Sequence, residues 1–276
     1  MGITCFKLNW VFPNFSVKSL SKTPIFSTHL NFCYLGHLVC MEERLRFNGY
    51  DIRKVSYENT DPMDLMKCAE ISSEFLYGGK CSADLIFTSI LDDQRSVNFF
   101  AEKNNKIVGY FQRVKLDESS AIYFSMGAVC PEHRKNGLYS LSVCLGIQEA
   151  LDRDYKYCIG RTGSPLTINL LSKKFGFKPE IPKIIDPKLR SIAEEATSEY
   201  RGYHVNISSN MITDGGSLVK HGLIPFSHDS GNKLIDGYFK ENVDISIGER
   251  LVFIRKNNFE VDNKLINQFL SGYTKE

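Results

Sequence analysis

Apolar and polar positions change period several times along this chain, and each change marks an element. The run from Tyr50 to Tyr57 is extended in character. Asp61-Pro62 then supplies a helix start with proline in the first turn, and Met63, Leu65, Met66 and Ile71 recur at helical spacing. Tyr77-Gly78-Gly79 breaks that helix, and Ser82 caps a second one predicted to run through Leu91. Strands follow at Val97 to Glu102 and Ile107 to Leu116, around Lys103-Asn104-Asn105-Lys106, whose asparagines suit a tight hairpin turn. A turn at Asp117 to Ser120 leads into a third strand, Ala121 to Val129, which makes an antiparallel meander.

Pro131 ends that strand, and the period switches. From Gly137 to Asp154, Leu138, Leu141, Cys144 or Leu145, Ile147 and Leu151 line one helical face. Tyr155 to Gly160 reads as a short strand, Leu166 to Lys174 as a helix stopped by Gly176, and Phe177 as the start of another extended piece. This alternation implies an α/β half with at least one parallel pairing. A helix capped by Asp186-Pro187 is expected over 187–201, and 202–247 reads as a poorly periodic insertion or long loop system. Leu251 to Arg255 is a strand, and Leu265 to Leu270 a final short helix. The organisation expected is an N-terminal segment (1–40), a core (48–181) and a C-terminal extension (182–276) that returns a strand (249–256) to the sheet.

Composition narrows the classes. A formal net charge of +2 over 276 residues gives no footprint for nucleic acid or an anionic membrane. No apolar run approaches the roughly 20 residues that span a bilayer, so a soluble, cytoplasmic protein is expected. The eight cysteines contain no C-x-x-C, and the histidines no zinc-ligand pair, so reduced buried thiols and no metal are expected. Residues 1–40 contain lysine but no acid; they suit either a transit-like segment or a stretch ahead of a start at Met41.

The segment with chemistry is Ala128-Val129-Cys130-Pro131-Glu132-His133-Arg134-Lys135-Asn136-Gly137-Leu138-Tyr139. A strand is cut by proline, a basic turn follows, and a glycine opens an amphipathic helix. Unpaired amides and the positive dipole end at such a start favour an anion. Gly137 removes a Cβ that would hold a phosphate away, Arg134 and Lys135 add charge, and Asn136 is placed to cap the helix. A plain strand–turn–helix connection with a solvated basic turn fits the same residues.

The segment also resembles the acetyl-CoA-binding motif of the GNAT superfamily of N-acetyltransferases, V-x-P-x-x-R/Q-x-x-G-x-G/A, with Val129, Pro131, Arg134 and Gly137 at the matching places. The order of elements over about 48–181 is similar too. The resemblance implies an α/β (α+β) fold, with a mixed sheet, a central antiparallel meander and a splayed parallel pair. It implies acetyl-CoA as co-substrate, held by Gly127, Ala128, Val129, Arg134, Lys135, Asn136, Gly137, Leu138, Tyr139 and Asn169. The acceptor would be an amine on a small molecule, peptide or protein, which attacks the thioester directly, and a homodimer is an allowed assembly. Three places depart from the pattern: Tyr139 stands where Gly or Ala is usual, Ser172 where many members carry a tyrosine that protonates the leaving thiolate, and Pro165 where they often carry an asparagine, Asn169 lying one turn later. Glu74, Glu102, Glu132 and His133 are candidate bases by rough location only, and the type of each fits a solvated surface residue better; Cys130 reads as a structural thiol. An acyl-CoA-binding module without catalysis, and an unrelated α/β interaction protein, are the competing readings.

Overall fold

A computed structural model describes residues 43–181, 186–201, 210–213 and 229–271. The expectation for 1–40 therefore lies outside the described residues. Strands β1 (Glu43–Phe47), β2 (Tyr50–Ser56), β3 (Ser96–Lys103), β4 (Lys106–Leu116), β5 (Ala121–Val129), β6 (Tyr157–Thr162), β7 (Ile212–Thr213) and β8 (Arg250–Lys256) form one sheet, in the order β1-β2-β3-β4-β5-β6-β8-β7. The first five are an antiparallel meander, β5 and β6 pair in parallel, and β8 returns antiparallel to β6. The mixed fold expected from the pattern is the one observed.

Local chemistry explains the joints. Asn104 and Asn105 sit at φ 53 and 58, the left-handed pair of a tight hairpin turn. Asn48 and Gly49, at φ 50 and 74, make a second such turn and add β1, a strand the sequence reading missed although Asn-Gly is the strongest short hairpin signal. Helix α1 (Pro62–Phe75) starts where the Asp61 carboxylate accepts from the Met63 amide at 2.8 Å. Met63 itself points outward, while Leu65, Cys68 and Ile71 face the sheet. Ser82 caps α2 (Ala83–Ile86), which widens into a π-type turn through Leu91.

Helices α1 and α2 cover one face of the meander through Leu65, Ile71, Ile86, Phe100 and Tyr110. Helix α3 (Leu138–Asp152) covers the other through Leu138 and Leu141 against Ile52, Phe99 and Phe111. A second core gathers α3, α4 (Pro165–Phe175) and α5 (Pro187–Arg201) around β5, β6 and β8. Gly176, at φ 66, ends α4. The piece after Phe177 is no strand; it meets the sheet at a single bridge, Lys178 to Ile254.

Regular elements occur among the described residues of the C-terminal part where the pattern suggested a loop system. Within 202–247 the structure has β7 and α6 (Lys233–Asn242), capped by Asn232 and buried through Ile235 and Phe239. Four apolar residues over ten positions, interrupted by Gly237, gave too weak a period to register. The last helix, α7 (Phe259–Ser271), begins a turn and a half before the sequence expectation, because Asp262 folds back to bond the Asn258 amide at 2.8 Å and the buried Arg255 guanidinium.

Two glycines differ in what a Cβ would meet. A Cβ on Gly160 of β6 would lie 2.4 Å from Cζ of Phe253, so Gly160→Ala is expected to cost about 1–3 kcal/mol in urea unfolding. Gly237→Ala, in a helix with nothing within 4 Å, is expected to gain up to about 1 kcal/mol in the same measurement.

Candidate functional site

At Val129 strand β5 runs out. The Cys130 amide still bonds Val108 O at 2.9 Å, and Pro131–His133 then coil into one 3-10 turn. Left-handed residues stand on either side of Asn136, Lys135 at φ 65 and Gly137 at φ 80, before α3 begins at Leu138. Backbone of this kind forms concavities that hold anions. Among the described residues, no amide from Lys135 to Ser140 donates to a protein group; the first of the helix to do so is Leu141, to Gly137 O at 2.8 Å. A helix start normally finds caps for such donors. This one leaves them open.

The side chains of the turn are tied down. Arg134 Nε donates to Val129 O at 3.0 Å. Asn136 does not cap the helix as the sequence suggested; its Nδ2 donates to the Tyr50 hydroxyl at 3.0 Å and to His133 O at 3.2 Å. His133 Nδ1 lies 3.1 Å from the same hydroxyl, with its ring edge-on to Tyr50. Tyr50 of β2 thus organises the turn, a role the sequence did not reveal because nothing local links positions 50 and 136. Lys135 is exposed. Tyr139 packs edge-on to Phe111 between α3 and the sheet, bonds Thr167, and has its phenol pushed up to about 12 by burial. Its bulk is directed into the interior, so its amide stays at the helix start.

Beside this turn the sheet opens. The parallel ladder covers only Ala121–Phe124 against Tyr157–Gly160, so Gly127, Ala128 and Val129 run past the last pair. A bulge sets the parting: Gln112 pairs with Met126 and Arg113 with Phe124, which leaves Ser125 as the extra residue. Ser125 Oγ donates to Gln112 Oε1 at 3.0 Å and shares a hydrogen bond with the Tyr200 hydroxyl, while Gln112 Nε2 donates to Leu91 O at 2.9 Å. Gly127 is demanded by packing, since a Cβ there would lie 2.6 Å from Phe111 Cδ1. On α4, Asn169 Oδ1 is buried without a donor and Ser172 is half-buried.

The candidate bases are not gathered there. Glu74 is exposed on α1, and Glu132 is exposed in the turn. Glu102 accepts from Arg53 Nε at 2.8 Å, and Arg53 also binds Asp64. His133 is held by Tyr50. Cys130 is 8% exposed, and burial raises its thiol above the ordinary range, against a nucleophilic role. Among the described residues no group of three or more His, Cys, Asp or Glu side chains could hold a metal, and no helix is long and apolar enough to cross a membrane.

The chain is similar to acetyltransferases of the GNAT family. A GNAT family acetyltransferase from Elizabethkingia anophelis with acetyl-CoA bound aligns at 16% identity over 75% of this chain and 98% of that one, with a TM-score of 0.42. An IAA acetyltransferase from Bacillus cereus aligns at 12% identity over 74% and 97%, with a TM-score of 0.40. A Bacillus subtilis acetyltransferase in complex with CoA aligns at 13% identity over 64% and 85%, with a TM-score of 0.37. No protein-family model matches the sequence, and no curated protein matches it either.

Two titrations follow from burial. Tyr77 and Tyr139 are each pushed up to about 12, so between about pH 10 and 12 the folded chain binds more protons than the unfolded one. Stability should fall as pH rises through that window, and absorbance at the phenolate band should show both rings protonated at pH 11. Cys144 and Cys158, each raised to about 12 by burial, should resist iodoacetamide at pH 8 until urea unfolds the chain.

Proposed function

We propose that this protein is an acetyl-CoA-dependent N-acetyltransferase, with Gly127, Ala128, Val129, Arg134, Lys135, Asn136, Gly137, Leu138, Tyr139 and Asn169 as the cofactor-facing positions. The observation that carries the reading is the run of unspent amides from Lys135 to Ser140, next to an opening between β5 and β6. A diphosphate needs convergent donors and no side chain in the way, and Gly137 supplies the gap. The free edge of β5 at Gly127–Val129 suits an extended amide-bearing arm, and the donorless Asn169 Oδ1 suits an N–H from that arm.

In this mechanism the acceptor amine attacks the thioester carbon, the new C–N bond forms, and the C–S bond breaks to release CoA thiolate. Backbone donors of β5 polarise the carbonyl as charge develops on its oxygen. Much of the rate comes from holding two substrates together across the opening. The ammonium proton leaves through water and the Ser125–Tyr200 hydroxyl pair, because Glu74 is exposed on α1, Glu132 is exposed in the turn, and Glu102 is committed to Arg53. The second reading, binding without transfer, draws on Ser172, whose short side chain offers the departing thiolate no phenol.

Titration calorimetry tests the cofactor site. Gly137→Glu sets a carboxylate against the phosphates and should weaken acetyl-CoA by about 100-fold or more. Gly137→Ala, strained at φ 80, should lose about 1 kcal/mol of stability yet keep most of the affinity. Unchanged affinity in Gly137→Glu would refute the assignment. Release of free CoA thiol across an amine panel separates transfer from binding alone.

A further inference from the structure

One cluster plays no part in holding the cofactor. Arg161 is the first residue of β6 beyond its last pairing with β5, and Arg250 opens β8. In the antiparallel register Arg161 faces Val252, so Arg250, two residues earlier, projects from the same face as its diagonal neighbour. That face is the one Ile159 shares with its partner Tyr123, whose ring stacks on Tyr200 of α5 at 4.0 Å. Gly163 makes room there, since a Cβ on it would lie 3.2 Å from Arg250 Cδ and 3.3 Å from its Nη1.

The other buried arginines of this chain are answered from within. Arg53 meets Asp64 and Glu102, Arg255 meets Asp262, and Arg113 donates to the carbonyls of Gln112 and Ser142 with Phe124 beneath it. Arg161 and Arg250 are different. Among the described residues neither has a carboxylate within ion-pair distance; Arg250 donates only to Glu249 O, at 2.6 Å, and Arg161 to no protein group. Burial, and then Arg161, pull the Arg250 guanidinium down to about 10. The same two charges bear on the buried phenol of Tyr77 from the loop after α1. Two like charges, half-buried at the mouth of an opening with no carboxylate partner among the described residues, are at their most favourable with an anion between them.

We propose that Arg161 and Arg250 bind the carboxylate of the acetyl acceptor, so that the acceptor is an amino acid in chemical class, its amine directed to the opening between β5 and β6. This rests on the acetyltransferase reading. A carboxylate is favoured over a phosphate because its planar pair of oxygens matches the planar fork of a guanidinium, and two such forks lie on one face of the sheet here.

Two measurements test it, one independent of acetyl-CoA. Phenylglyoxal modification mapped by mass spectrometry should label Arg161 and Arg250. A mixture of free L-amino acids should protect them, while the matching α-carboxamides and phosphoethanolamine should not. In the transfer assay, Arg250→Gln and Arg161→Gln should each raise KM for the accepted amino acid roughly 100-fold, with acetyl-CoA affinity and melting temperature unchanged, and Arg250→Lys should restore part of it. Equal protection or equal turnover with carboxamides or phosphoethanolamine would overturn the proposal. Absence of protection by the amino acids overturns it whether or not acetyl-CoA binds, whereas failure of acetyl-CoA to bind overturns the parent reading and this one together.

Discussion

The parting of two parallel strands after only four residues is the constraint on which the rest of this structure depends. Parallel neighbours ordinarily stay paired, since each unpaired N–H and C=O buried without a partner is costly. Here the ladder stops where Ser125 bulges out of β5 and where Phe124 and Phe253 crowd Gly160 of β6. Rings on one side and an extra residue on the other steer the strands apart. The buried Arg113 holds that junction from behind, with its guanidinium 4.1 Å from the Phe124 ring and one donor on the Ser142 carbonyl of α3. Sheet, bulge and helix are therefore joined at one point.

Much of the fold was legible because its signals are local. Asn104-Asn105, Asp61-Pro62, Ser82 and Gly176 each do what their chemistry suggests, and the switch from strand to helix period after Pro131 locates the turn to within a residue. Other features were hidden by distance. Asn136 was read as a cap because it precedes the helix, but Tyr50 is the partner it takes. β6 runs Tyr157–Thr162 rather than Tyr155 to Gly160, and that shift is what places Arg161 on a strand. No spacing rule relates Arg161 to Arg250; only the register of β6 against β8 does. Of the candidate bases, the turn keeps His133 and Glu132 near the anion site by connectivity alone, while Glu74 and Glu102 belong to other neighbourhoods.

The two substrates would be recognised by different parts of the chain's chemistry. On the proposed reading, main-chain amides at the start of α3 would answer the cofactor, and such a site would tolerate the large Tyr139 side chain because it turns inward. Side chains from β6, β8 and the loop after α1 would answer the acceptor, so its identity would vary with a few buried or half-buried side chains. In that arrangement backbone would supply what every acyl-CoA shares, and side chains what distinguishes one amine from another.

The return of β8 to β6 has a consequence for synthesis. The meander from β1 to β5 closes through short turns and can zip as it emerges, but β6 borders a partner some ninety residues downstream. Until Arg250–Lys256 has been translated, one edge of Tyr157–Thr162 stays unpaired beside a nearly finished sheet. A newborn chain of this protein therefore passes through a sticky interval between the emergence of β6 and that of β8, when chaperone shelter against strand-to-strand aggregation matters most.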